Sequence, residues 1–138
     1  MRVGRRELQI VLALAGLAVA LYLTLYHYEG VPLACSTNGI INCSSVLNSK
    51  YAYVFGVPIA VYGVIFFVVE LGLLAFGNAD ALLLWAIAGL GSVFFFIYIE
   101  YLVGHICEWC TSVHGIVLVL FIISLYEVAR GSKKDAMH

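Results

Sequence analysis

Four stretches of this chain run for about twenty residues almost without a charge, and that feature rules out most folds. They cover residues 8–27, 57–76, 81–103 and 107–128. A helix needs about 20 mainly apolar residues to cross the hydrocarbon core of a bilayer. A water-soluble domain carries roughly a quarter charged residues; here the share is 11%, against 64% hydrophobic. So few charges cannot dress a water-facing surface, and much of the surface must face lipid. The expected fold is an all-α integral membrane protein. It is a four-transmembrane-helix bundle, forming one membrane domain over residues 1–138. The breaks are FGNAD (76–80), the short joint 104–106, and one long connection, 28–56. A signal peptide over residues 1–35 is the weaker reading, because its apolar core is longer than the 7–15 residues of a signal.

Charge sets the expected orientation. Of seven Lys and Arg residues, Arg2, Arg5 and Arg6 precede the first span and Arg130, Lys133 and Lys134 follow the fourth. Basic residues stay on the cytoplasmic side. Both termini are then expected in the cytoplasm of a multi-pass cell-membrane protein. Loop 28–56 and joint 104–106 fall outside, and they bring all four cysteines, Cys35, Cys43, Cys107 and Cys110, to the side where disulfides persist. No basic run lies away from the termini, so nucleic acid is not an expected partner. Small residues at helical spacing, Ala13, Gly16 and Ala20 in the first span and Ala88, Gly91 and Ser92 in the third, read as faces for close helix packing.

The cysteines come in two close pairs. In CSTNGIINC (35–43) the Asn38-Gly39 turn pair can bring Cys35 and Cys43 within the Cα separation of about 7 Å that a disulfide needs. A plain stabilising staple explains that pair equally well. After it, Val46, Leu47, Tyr51, Val54 and Phe55 recur at intervals of 3 and 4, which predicts a short amphipathic helix on the outer face, capped by Asn42 or Ser44.

The second pair opens the fourth span as CEWCTSVH. At about 100° per residue, Cys107, Cys110 and His114 share a stripe about 60° wide, which continues inward as Leu118, Phe121 and Leu125. Helix starts favour thiolate over thiol. The bland alternatives are packing cysteines, a four-cysteine zinc site, a core histidine, and Glu100 and Glu108 simply solvated at the boundary. An ionisable group inside a span nevertheless leans functional.

Taken together, the chain resembles the vitamin K epoxide reductase family over most of its length. The matching features are Cys35 and Cys43 in the first outer loop, Ser49 after them, Gly63 in the second span, and Cys107-Glu-Trp-Cys110 opening the fourth. The bacterial DsbB proteins place CxxC in the first loop instead, so the order favours the epoxide reductase family, in its prokaryotic form without a fused thioredoxin domain. Two positions depart from the family pattern. Ile59 stands where many members have a quinone-binding asparagine, and His114 where the vertebrate enzymes have tyrosine.

The resemblance implies a relay. A separate thioredoxin-like dithiol protein attacks the loop disulfide at Cys43. Cys35 is released and attacks Cys107, and Cys110 faces a membrane quinone of the menaquinone or ubiquinone type, with His114, Leu118 and Phe121 as its expected contacts. The expected activity is therefore protein-disulfide:quinone oxidoreduction. The alternatives are reduction of vitamin K epoxide itself and, in another class, soft-metal transport between cysteine pairs. No bound metal is expected.

Overall fold

The computed structural model describes residues 4–35 and 39–136, with side chains up to residue 131. Four long helices dominate it: α1 (Arg5–Glu29), α3 (Ile59–Phe76), α4 (Ala79–Val103) and α5 (Glu108–Ala136). Among the described residues these four are long and apolar enough to cross a membrane. The chain is a multi-pass membrane protein built on a bundle of these four helices.

The helix ends follow from local chemistry. α1 stops at Gly30 and α4 at Gly104, both left-handed (φ 67° and 82°), a backbone that glycine adopts without a Cβ clash. Only Gly77 and Asn78 separate α3 from α4. Asn78 caps α4, its Oδ1 accepting from the Ala81 amide at 2.9 Å.

α1 packs along α3 and α5, α4 packs mainly along α5, and α3 meets α4 more sparsely. The expected small face on α1 is buried: Ala13 and Ala20 are in the core, and at Gly16 the missing side chain makes room for the Phe67 ring. The expected face on α4 is not the one used. Ala88, Gly91 and Ser92 are exposed, and Ala86, Gly89 and Val93 turn inward instead. Gly89 there takes up Phe66 and Val117, and Trp85 stacks on Phe66 at 5.3 Å. At the end of the bundle that carries both termini, Arg5 pairs with Glu127 and Gln9 donates to Ser124 at 3.3 Å.

The Gly16–Phe67 contact is testable. A Cβ on residue 16 would sit 2.3 Å from the Phe67 ring. Gly16→Ala should destabilise the bundle by about 1–3 kcal/mol through overpacking. Gly91→Ala has nothing within 4 Å and serves as the control. Thermal unfolding in detergent reads the difference, and adding Phe67→Leu to Gly16→Ala should recover part of it.

The long connection differs from a single amphipathic helix. Helix α2 spans only Cys43–Leu47, capped by Asn42, whose Oδ1 accepts from the Ser45 amide at 3.1 Å. A 3-10 turn (Lys50–Ala52) and a small antiparallel hairpin, β1 (Tyr53–Val54) with β2 (Val57–Pro58), follow. Asn48 and Ser49 end the helix early. The Ser49 hydroxyl donates back to the Val46 carbonyl at 2.8 Å, the local bond by which serine competes with helix. The hairpin turns on Phe55 and Gly56, both at positive φ (54° and 76°), as a tight two-residue turn requires.

Candidate functional site

The joint between α4 and α5 is stitched to the loop just ahead of both cysteine pairs' inner members. Ile106 donates to the Ile40 carbonyl at 2.7 Å, and Asn42 donates to the Ile106 carbonyl at 2.9 Å. Cys43 and Cys107 each follow directly on these bonded residues. Both are buried (1% and 0% exposed) in one apolar cluster with Leu23, Val46, Leu47 and Ala60. Cys35 and Cys110 pack against the same cluster.

Cys35 and Cys43 form a disulfide, with their Cα atoms 6.2 Å apart. The turn residue Asn38 lies outside the described residues; its neighbour Gly39 has φ 61°. The strand of loop before Cys35 is held by two aromatic side chains. The Tyr22 hydroxyl donates to the Pro32 carbonyl (2.8 Å) and accepts from the Ala34 amide (2.9 Å). The Trp109 indole donates to the Ala34 carbonyl at 2.7 Å, and its ring meets that of Tyr22 edge-on at 5.5 Å. Trp109, directed away from the thiols on α5, thereby ties the loop pair to the helix pair.

Cys107 and Cys110 are free thiols with different surroundings. Cys107 stands where an N-cap residue would. Its carbonyl takes the first helical bond, from the Thr111 amide at 2.9 Å, and its sulfur accepts from the Cys110 amide at 3.2 Å. Cys110, one turn on, opens on a cavity of about 120 Å³ that Cys107 does not line. All four long helices and the loop contribute to its walls, which are largely apolar.

His114 is buried on that wall and stacks on Phe96 at 5.9 Å. Val113 and Val117 continue the wall, together with Ile59, Gly63 and Phe66 of α3. Leu118 and Phe121, the expected continuation, are not on it. Leu118 is 39% exposed and Phe121 only partly buried. Past His114 the inward face steps to Val117, Leu120 and Ser124, one residue away from 118, 121 and 125. Two polar groups on the wall were not singled out by the stripe. His27 has a buried Nε2 without a partner, its Nδ1 lying 3.5 Å from the Tyr53 hydroxyl. Glu100 has a buried Oε1, likewise without a partner. The signal for both was a titratable residue near the end of a span.

The family model for the vitamin K epoxide reductase family matches residues 8–125. That range covers the first three apolar stretches, most of the fourth and both cysteine pairs. The chain belongs to the vitamin K epoxide reductase family. No curated protein matches it in a direct comparison. Members of the vitamin K epoxide reductase family are membrane oxidoreductases that work on disulfides and quinones, and the oxidoreductase chemistry fits this site. Its cysteines supply a disulfide and a neighbouring dithiol, and a largely apolar cavity opens beside one of the two free thiols.

Proposed function

We propose that the protein oxidises a thioredoxin-like dithiol protein and passes the two electrons to a membrane quinone, supporting disulfide formation outside the cell. The observation that carries this reading is the division of labour in the CxxC pair: Cys107 packs with the loop disulfide, and Cys110 opens on the cavity.

Each part of the chain has a task in it. The partner's thiolate attacks Cys43, breaking the Cys35–Cys43 bond. Cys35 attacks the oxidised helix pair at Cys107 and frees Cys110. The partner's second thiol releases Cys43 as it closes the partner's own disulfide. Cys43 then attacks Cys35, restoring the loop disulfide and releasing Cys107. The helix pair, now reduced, faces the quinone, which supplies the two-electron acceptor when bound. Thiol–disulfide exchange requires sulfur to reach sulfur, and the clustering of all four cysteines supports that requirement. The apolar walls would hold the ring, and His114 would hydrogen-bond a ring oxygen, a task suited to a side chain that is both donor and acceptor. The sparse packing of α3 on α4 leaves an approach for a tail that stays in lipid. The basic residues at both chain ends support a cytoplasmic placement of those ends, with the cysteine end outside.

Sealed vesicles containing the protein and a quinone test this directly. Reduced thioredoxin-like protein cannot cross the membrane. It should be oxidised, with loss of quinone absorbance, only in vesicles whose cysteine end faces the donor. Oxidation from the side of the termini would overturn the orientation, and no quinone consumption in either orientation would overturn the activity. Supplying vitamin K epoxide in place of quinone should give little turnover.

A further inference from the structure

Glu100 lies in the last turn of α4, on the cavity wall that also carries Cys110 and His114. Its Oε1 is shut off from solvent and meets no hydrogen-bond partner among the described residues. Leaving a buried polar atom unpaired is costly, because it gives up its hydrogen bonds to water and gains none in return. Nothing in the ending of α4 requires that cost, because Gly104 closes the helix through the Glu100 backbone carbonyl and not its side chain. The carboxyl shares its cavity wall with the Cys110 thiol.

The quinone step has a use for such a group. Oxidising the pair breaks two S–H bonds and forms one S–S bond. The two electrons and two protons reduce the quinone, forming two O–H bonds on its ring oxygens. The protons start on sulfur and must end on oxygen inside a mostly apolar cavity. The titratable groups facing that space can be named. α1 offers His27, whose Nδ1 lies 3.5 Å from the Tyr53 hydroxyl and whose buried Nε2 has no partner among the described residues. α3 offers Tyr62, whose hydroxyl is committed to the Val54 carbonyl at 2.9 Å. α5 offers Cys110 itself and His114, stacked on Phe96. The loop wall, Val46, Leu47 and Ala52, offers none. Glu100 brings an unpartnered carboxyl oxygen to the wall that carries the Cys110 thiol.

We propose that Glu100 is a catalytic residue of the quinone step. Its Oε1 takes a proton released by a CxxC thiol and returns one to a ring oxygen, so that the carboxyl ends each turnover as it began. The assignment rests on the quinone-reducing reading above.

The test uses the full chain in detergent, with dithiothreitol as donor and a soluble ubiquinone analogue as acceptor. Glu100→Gln keeps the shape and loses the proton-carrying oxygen. Its kcat should fall by about a hundredfold, the scale of a lost general acid–base group, with the quinone KM little changed. The pH–rate profile should lose the limb belonging to this carboxyl. Glu100→Asp should recover part of kcat and keep that limb at a shifted position. Reduction of the Cys35–Cys43 disulfide by dithiothreitol, which involves no quinone, should be the same in both variants and shows that the fold is intact. An unchanged kcat and pH profile in Glu100→Gln would overturn the proposal. So would parallel losses in KM, kcat and loop-disulfide reduction in both variants, which mark a structural role. If Cys110→Ala still reduces quinone at the full rate, the quinone-reducing reading itself fails, whatever Glu100 does.

Discussion

Replacing Cys110 with alanine should bring quinone reduction by a small dithiol down to background, a loss of at least about a thousandfold, or about 4 kcal/mol of barrier. Cys107→Ala should lose as much, because the two-electron step ends in a bond between these two sulfurs. Dithiothreitol can reduce the helix pair without help from the loop, so Cys35→Ala and Cys43→Ala should retain most of the activity. With a protein donor the pattern changes, and all four substitutions should be inactive. His114→Ala should fall between, by about tenfold, if its part is one hydrogen bond to the ring. The structure explains the contrast. Cys110 is the cysteine on the cavity wall, and Cys35 and Cys43 are already bonded to each other. The assay is the loss of quinone absorbance at saturating dithiol, and the prediction fails if Cys110→Ala matches the unmodified rate.

The second large effect concerns the order of the loop cysteines. Take Cys35→Ala with Cys43 preloaded as a mixed disulfide with a small thiol. A thioredoxin-like donor lacking its second cysteine should displace that thiol and remain covalently attached, because nothing is left to release it. The adduct should approach one donor per chain on non-reducing gels. Cys43→Ala with Cys35 preloaded in the same way should give little or none. Burial argues in part against this order, since Cys43 is only 1% exposed in the oxidised structure. Attack on it therefore requires the loop to open around α2. The clamp at Ala34 by Tyr22 and Trp109 predicts which side stays put. Accumulation from Cys35 and not from Cys43 would exchange the two roles.

Much of this was legible before any coordinates. The spans could be read because a helix in lipid must be apolar along its length, and the break at Gly77-Asn78 because asparagine caps and glycine terminates. The cap at Asn42 and the small face Ala13–Gly16–Ala20 were equally readable. What could not be read is rotation. Around α4 and beyond His114 on α5, residues on every side are apolar, so a lipid-facing leucine and a core leucine look alike in sequence. Leu118 and Phe121 were expected on the cavity for that reason, and Val113 and Val117 are there instead. The clamp of Tyr22 and Trp109 on the loop joins residues far apart in the chain, and no local pattern announces it. The early end of α2 depended on two side-chain bonds at Asn48 and Ser49, which weigh more than a hydrophobic period carried by five residues.

The central claim is that a quinone sits against the sulfur of Cys110, and absorption spectroscopy tests it most directly. In Cys107→Ala the thiolate of Cys110 cannot be consumed in a disulfide with its neighbour. Adding a naphthoquinone or ubiquinone analogue to that variant should produce a visible charge-transfer band, saturating at one quinone per chain. The same addition to the Cys107→Ala, Cys110→Ala double variant should produce none. A band of equal strength in the double variant, or no band at saturating quinone in Cys107→Ala, would contradict the account.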